Sequence, residues 1–187
     1  MRGYFIDHFY TTYQTSLQQS DYQYYITLNR QIKVEGDSSQ IYLAMASWAE
    51  VQGFEGISTF MFAQSEEERL HMLKLVKYIN LRGGQAKISS TVEPSLDLSS
   101  YKVLFKQLLE HEIKVSESIN DLVGIALDER DYATHNFLQW YVAEQIEEEA
   151  NARYILDKIN LIGDDKGGLY LFDNEMKNFS SPVTAPK

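Results

Sequence analysis

Four long segments of this chain carry apolar residues at alternating steps of three and four, and each stripe is interrupted near its middle by a glutamate. Such steps mark the seam by which an α-helix faces the centre of a bundle. The first stripe runs Leu28, Ile32, Glu35, Ser39, Tyr42, Ala46, Ala49, and the second Phe54, Ile57, Met61, Gln64, Glu68, His71, Leu75, Tyr78. The third runs Tyr101, Phe105, Leu108, Glu112, Val115, Ile119, Leu122, and the fourth Leu138, Tyr141, Gln145, Glu148, Ala152, Ile155, Ile159.

Glycine and proline divide the chain at Gly53, Gly56, Gly83-Gly84, Pro94, Gly163 and Gly167-Gly168. The spacing predicts helices over 21–52, 54–82, 100–129 and 131–161, and a short fifth over 169–177. Ser99 and Asp131 are suited to N-caps, Gly83 and Gly163 to helix stops. Very short connections make the first two helices antiparallel, and likewise the third and fourth. Residues 84–99 are polar, contain Pro94, and can reach roughly 50 Å when extended, about the length of the bundle. They are expected to cross from end to end, so that the second and third helices run parallel. The fold class is all-α, a four-helix bundle with one long crossover. Residues 20–179 form the domain, 1–19 an N-terminal extension read as flexible, and 180–187 a tail.

One glutamate on a seam is easily explained as a side chain reaching outward. Four at one depth are not, because ionised carboxylates in a dry core repel and each costs several kcal/mol to bury unpaired. Protonation can neutralise them, but two divalent cations cancel four charges directly. Glu68 and His71 lie one turn apart on one face. Mostly oxygen ligands with one imidazole suit Fe(II) or Mn(II) and tolerate Zn(II). Helix bundles that hold two iron ions carry an inward Glu on two helices and Glu-x-x-His on the other two. Here the fourth stripe offers Gln145-x-x-Glu148, which leaves the site asymmetric.

Composition removes other classes. With no cysteine, no disulfide, thiolate site or Fe–S cluster can form. A net charge of −10 argues against nucleic acid as a partner. No apolar stretch approaches the ~18 residues of a membrane span. The first 19 residues lack a signal-peptide core. The expected location is the cytoplasm.

The segments VEGDSSQIYLAMASW (34–48), SEEERLHM (65–72), FLQWYVAEQIEEE (137–149) and GLYLFDNEM (168–176) make the chain from about residue 28 to 176 resemble bacterial non-haem ferritins. The resemblance implies a ferritin-like fold and a ferroxidase: an oxidoreductase that oxidises Fe(II) with dioxygen at a di-iron centre inside each subunit. It also implies a homo-oligomeric cage of 24 subunits that stores ferric mineral. It assigns Glu35, Glu68 and His71 to a first iron, with Gln145 nearby, and Glu68 as bridge with Glu112 and Glu148 to a second. Glu67, Glu144 and Glu147, with Glu148, match a third iron site; read without the family, Glu144 and Glu147 are solvated acids.

Tyr42 sits two turns after Glu35, either as packing or as an electron donor or hydrogen-bond partner of a metal-bound glutamate. Trp140 is open to the same two readings, packing or donor. His111 points off the stripe. Gly36 either loosens the first helix or lets a neighbour approach closely. Leu43, Trp48, Phe60 and Phe62 are expected on outer faces that other subunits cover.

The runner-up is a haem-binding bacterioferritin or another di-iron carboxylate oxidase. Bacterioferritins carry a second Glu-x-x-His and a haem-ligating Met where this chain has Arg69, so no haem is expected. Two more distant alternatives are a non-catalytic helical scaffold with an acidic core patch and a DNA-protecting mini-ferritin.

Overall fold

The computed structural model describes residues 19–179; the tail and all of the N-terminal extension but Gln19, which begins the first helix, lie outside the described residues. Among the described residues five helices follow in order: α1 Gln19–Val51, α2 Glu55–Leu81, α3 Tyr101–Asp128, α4 Tyr132–Ile162 and α5 Lys166–Met176. Hydrogen bonds between helices establish the topology. From α1 to α2, Ser58 Oγ donates to the Ala46 carbonyl, and Ser39 and Ser65 exchange hydroxyl-to-carbonyl bonds of 2.8 Å. Partners thus rise on one helix as they fall on the other, which makes the pair antiparallel. Gln31 with Ser118 and Ser38 with His111 do the same for α1 and α3. Gln64 with Glu148 and Tyr78 with Thr134 do so for α2 and α4. With α2 and α3 both antiparallel to α1, they are parallel to each other, as the long crossover predicts.

Local chemistry explains most helix ends. Asp131 accepts from the Thr134 amide, and Gly83 and Gly163 take positive φ at the helix stops, where a side chain would be strained. Two expectations need correction. The cap of α3 is Ser100, whose Oγ accepts from the Val103 amide, because the Ser99 amide is turned to Asp97 in the preceding bend. The fifth helix begins at Lys166 rather than 169. Asp165 accepts from the amides of Gly167 and Gly168, so the glycine pair forms the first turn instead of breaking it.

The crossover is tied down along its route. Lys87 N donates to Asn29 Oδ1 and Ala86 N to Asn80 Oδ1, while at the far end Asp97 N donates to Gln107 Oε1. Midway it passes over Gly36. A Cβ there would meet Met72 Sδ at 3.3 Å and Thr91 Cγ2 at 3.9 Å, so Gly36 permits a close approach of neighbours.

The apolar core falls into two clusters. One gathers Tyr42, Ala46, Met61, Leu108 and Ala152; the other gathers Ile32, Leu75, Val115, Ile119 and Tyr141. The glutamates occupy the level between them. Leu43 and Phe62 are each 41% exposed, but Trp48 packs part-buried on the core. Phe60 corrects the sequence expectation: it is buried, with its ring 6.3 Å from that of Phe105. A bulky ring flanking the seam gains more by turning inward than by facing water. Among the described residues no helix is long and apolar enough to cross a membrane.

Candidate metal centre

Each of the four long helices delivers its mid-stripe glutamate to one buried layer: Glu35 from α1, Glu68 from α2, Glu112 from α3 and Glu148 from α4, none more than 5% exposed. No lysine or arginine is paired with any of them among the ion pairs of the described residues. Burial is accordingly the main force on all four, and it raises each carboxyl. Glu68 and Glu112 are pushed from 4.5 to about 7. Glu35 is held well above its ordinary value by burial and then by Glu68, and Glu148 by burial and then by Glu112.

His71 joins the layer one turn beyond Glu68. Its Nδ1 lies 3.6 Å from Glu68 Oε2 and 3.9 Å from Glu35 Oε2. Those two oxygens are buried and have no hydrogen-bond partner. Glu35, Glu68 and His71 therefore bring three ligand atoms within 4.8 Å of one another, an arrangement able to hold a cation. Orphaned buried oxygens are costly unless something positive completes them. An ion bound there would coordinate oxygens and one nitrogen, a donor set that fits Fe(II).

The other half is differently prepared. Tyr42 donates its phenol to Glu112 Oε1, and Gln145 Nε2 donates to Glu112 Oε2 at 3.1 Å. Gln64 Nε2 donates to Glu148 Oε2 at 3.1 Å. Glu112 and Glu148 thus lie at the centre without joining the three-residue cluster. Outside it, Glu67, His71 and Glu144 bring ligand atoms within 4.8 Å, and burial raises the Glu67 carboxyl. Glu147 is exposed and is not one of those three residues, but its charge, like that of Glu144, helps to raise the Glu67 carboxyl.

Aromatic groups surround the layer. Tyr141 donates to the His71 carbonyl at 2.8 Å, and Trp140 meets the His71 ring edge-on with centroids 5.1 Å apart. Lys74 Nζ sits 3.5 Å from the centroid of Trp140. His111 turns from the carboxylates to Ser38 Oγ at 2.7 Å, with its ring edge-on to Tyr42. Burial, then Lys114, lowers its pKa to about 4. Sequence reasoning missed Gln31, Gln64 and Ser118 as partners of the layer. Gln64 stood on its stripe without a role, and Gln31 lies one turn before Glu35, so a polar residue a turn ahead of a seam glutamate was the available signal.

The centre can be set beside known proteins. The profile of the Ferritin-like domain family matches residues 27–162. A probable bacterial non-heme ferritin-like protein of Haemophilus influenzae is 44% identical over 154 residues, covering 82% of this chain and 93% of that one. A bacterial non-heme ferritin of Campylobacter jejuni is 42% identical over 153 residues, covering 82% and 92%. Among solved structures, an open pore ferritin of the archaeon Archaeoglobus fulgidus superposes with a TM-score of 0.82 at 41% identity, covering 87% of this chain and 98% of that one. A helical bundle of this order, with four mid-stripe glutamates and a histidine in its core, belongs to the ferritin family.

Proposed function

We propose that this chain is a non-haem iron-storage subunit and a ferroxidase, with Fe(II) and dioxygen as substrates. The observation that carries the reading is the pair of bare, buried oxygens, Glu35 Oε2 and Glu68 Oε2, facing His71 Nδ1. They complete a first Fe(II) position. Glu68 bridges to a second position, with Glu112 and Glu148, beside Gln145. Glu67 and Glu144, joined by Glu147 and Glu148, form a third, outer position. Fe(II) enters an acidic layer whose carboxyls give up their protons as it binds.

Each of two Fe(II) ions gives up one electron. Dioxygen takes both with two protons and leaves as hydrogen peroxide. The resulting Fe(III) moves on to mineral. The protein contributes ligand spacing, the exclusion of water by the two apolar clusters, and hydrogen bonds that hold the carboxylates. Tyr42 orients Glu112 and is placed to supply an electron. Family membership supports assembly into a 24-subunit cage in the cytoplasm. The non-haem reading rests on two positions: Arg69 is exposed where a haem-ligating Met would stand, and Glu148 of Gln145-x-x-Glu148 stands where a second histidine would be.

Anaerobic Fe(II) titration followed by oxygen, monitored by ultraviolet–visible absorbance, tests the reading. The wild type is expected to oxidise Fe(II) rapidly without an organic substrate, and Glu68→Ala to lose that rapid phase. Equal rates in the two proteins would remove Glu68 as the bridge. A stable monomer in size-exclusion chromatography would contradict the cage.

A further inference from the structure

Periodicity accounts for the carboxylates but not for the amides around them. Three buried glutamines from three different helices each aim an N–H at a different glutamate. Gln31 Nε2 donates to Glu35 Oε1 at 2.9 Å, Gln145 Nε2 to Glu112 Oε2 at 3.1 Å, and Gln64 Nε2 to Glu148 Oε2 at 3.1 Å. Gln31 is 2% exposed and Gln64 3%, so neither amide is a surface group that met a carboxylate by chance. Glu68, the fourth glutamate and the bridge of the proposed centre, has no amide on its Oε2. Glu35, Glu112 and Glu148 each have a glutamine, whereas the bridge between the two inner positions keeps a bare oxygen.

The direction of the Gln31 amide follows from its surroundings. A carboxylate that binds a metal only accepts, so the NH2 end must face Glu35. The other end is satisfied from α3, where Ser118 Oγ lies 2.8 Å from Gln31 Oε1. The result is a three-residue line, Ser118 to Gln31 to Glu35, that occupies Oε1 of Glu35 and leaves Oε2 bare toward His71. Gln64 occupies Oε2 of Glu148 in the same manner.

We propose that Gln31 and Gln64 are positioning residues of the metal centre, Gln31 for the first ion through Glu35 and Gln64 for the second through Glu148. Each amide pins one carboxylate oxygen, so that the glutamate offers its other oxygen to the metal as a single-atom ligand. This rests on the two-position reading given above. Groups that orient metal ligands in this way typically change affinity by about 10–100-fold when removed. A purely structural amide would instead alter the stability of the metal-free protein and leave the two ions equally affected.

Anaerobic Fe(II) calorimetry on the full chain separates these cases, with Glu35→Ala and Glu148→Ala identifying which binding event belongs to which ion. Gln31→Leu is expected to weaken the Glu35 event by about 10-fold or more while leaving the Glu148 event in place. Gln64→Leu is expected to do the reverse. Ser118→Ala keeps every amide and is expected to weaken the Glu35 event by a smaller factor. Affinities unchanged in both leucine variants, or lowered alike for both ions, overturn the positioning role; an unchanged Glu35 event in Ser118→Ala overturns the anchoring of Gln31. If Glu35→Ala and Glu148→Ala titrate as the wild type does, the two-position centre itself fails, and the amides' role falls with it.

Discussion

Tyr42 on α1 donates its phenol to Oε1 of Glu112 on α3 across the buried middle of the bundle. With Gln145 on the other oxygen, Glu112 is held at both ends, whereas Glu35 and Glu68 each keep a bare oxygen. The centre is therefore lopsided before any ion arrives. The first position is open, and the second must exchange a hydrogen-bond donor for a metal.

Tyr42→Phe keeps the ring and removes the donor. The first Fe(II) is expected to bind as in the wild type, while oxidation slows by about 10-fold, because Glu112 loses its orientation. Stopped-flow absorbance beside anaerobic titration checks both halves; an unchanged rate would reduce Tyr42 to packing.

The raised carboxyls give the metal-free protein an unusual pH dependence. Glu68 and Glu112 move from 4.5 to about 7 on folding, so the folded state holds their protons more tightly than the unfolded one. Their contribution to stability is full below about pH 4.5 and is lost as the pH rises through about 7. The melting temperature of the metal-free protein is expected to fall from about pH 5 to about pH 8, and saturating Zn(II) to flatten that fall. A melting temperature that climbs over this range would show that these glutamates are not neutral in the fold.

Glu68→Gln removes one of these charges and is expected to stabilise the metal-free protein on the order of 2 kcal/mol at about pH 8. The same change is expected to abolish stabilisation by added metal. Thermal melts with and without Zn(II) read both effects. Destabilisation of the metal-free variant would mean that the carboxylate serves the fold rather than an ion.

Asp173 of α5 accepts from the amides of Gly56 and Ile57, capping α2 from another helix. A Cβ on Gly56 would sit 1.5 Å from the Asp173 carbonyl oxygen, an impossible contact. Gly56→Ala is expected to unseat α5 and expose Phe172 and Met176, each worth roughly 2 kcal/mol when buried. Limited proteolysis is expected to cut after residue 163 in the variant and not in the wild type, with Fe(II) binding in the bundle unchanged. Protection equal to wild type would refute the docking role.

Gly36 provides the milder contrast. The atom its Cβ would crowd, Met72 Sδ at 3.3 Å, ends a flexible side chain. Gly36→Ala is expected to change stability by less than about 1 kcal/mol, since the helix gains what the methionine gives up. Gly36→Val is expected to be clearly destabilising. Denaturant titrations distinguish the pair, and equal midpoints would exclude crowding.

The elements were legible because a helix seam is a local pattern. A residue three or four positions on lies on the same face whatever the rest of the chain does, so Glu35, Glu68, His71, Glu112 and Glu148 could be placed in the core from spacing alone. Boundaries were less legible where two residues compete for one task, as Ser99 and Ser100 do. They were also obscured where a neighbour reverses a composition rule, as Asp165 does for Gly167 and Gly168.

Periodicity by itself determined the four helices, the crossover that makes α2 and α3 parallel, and the level at which charge enters the core. Tertiary structure alone decided which carboxylate oxygens are satisfied and which, on Glu35 and Glu68, are bare. It decided that Gln31, Gln64 and Gln145 face Glu35, Glu148 and Glu112, that Phe60 turns inward, and that Asp173 caps α2. The physical reason is range. A stripe follows from the geometry of one helix, whereas the partner of a carboxylate oxygen is a donor brought by another helix, at a distance that only packing sets.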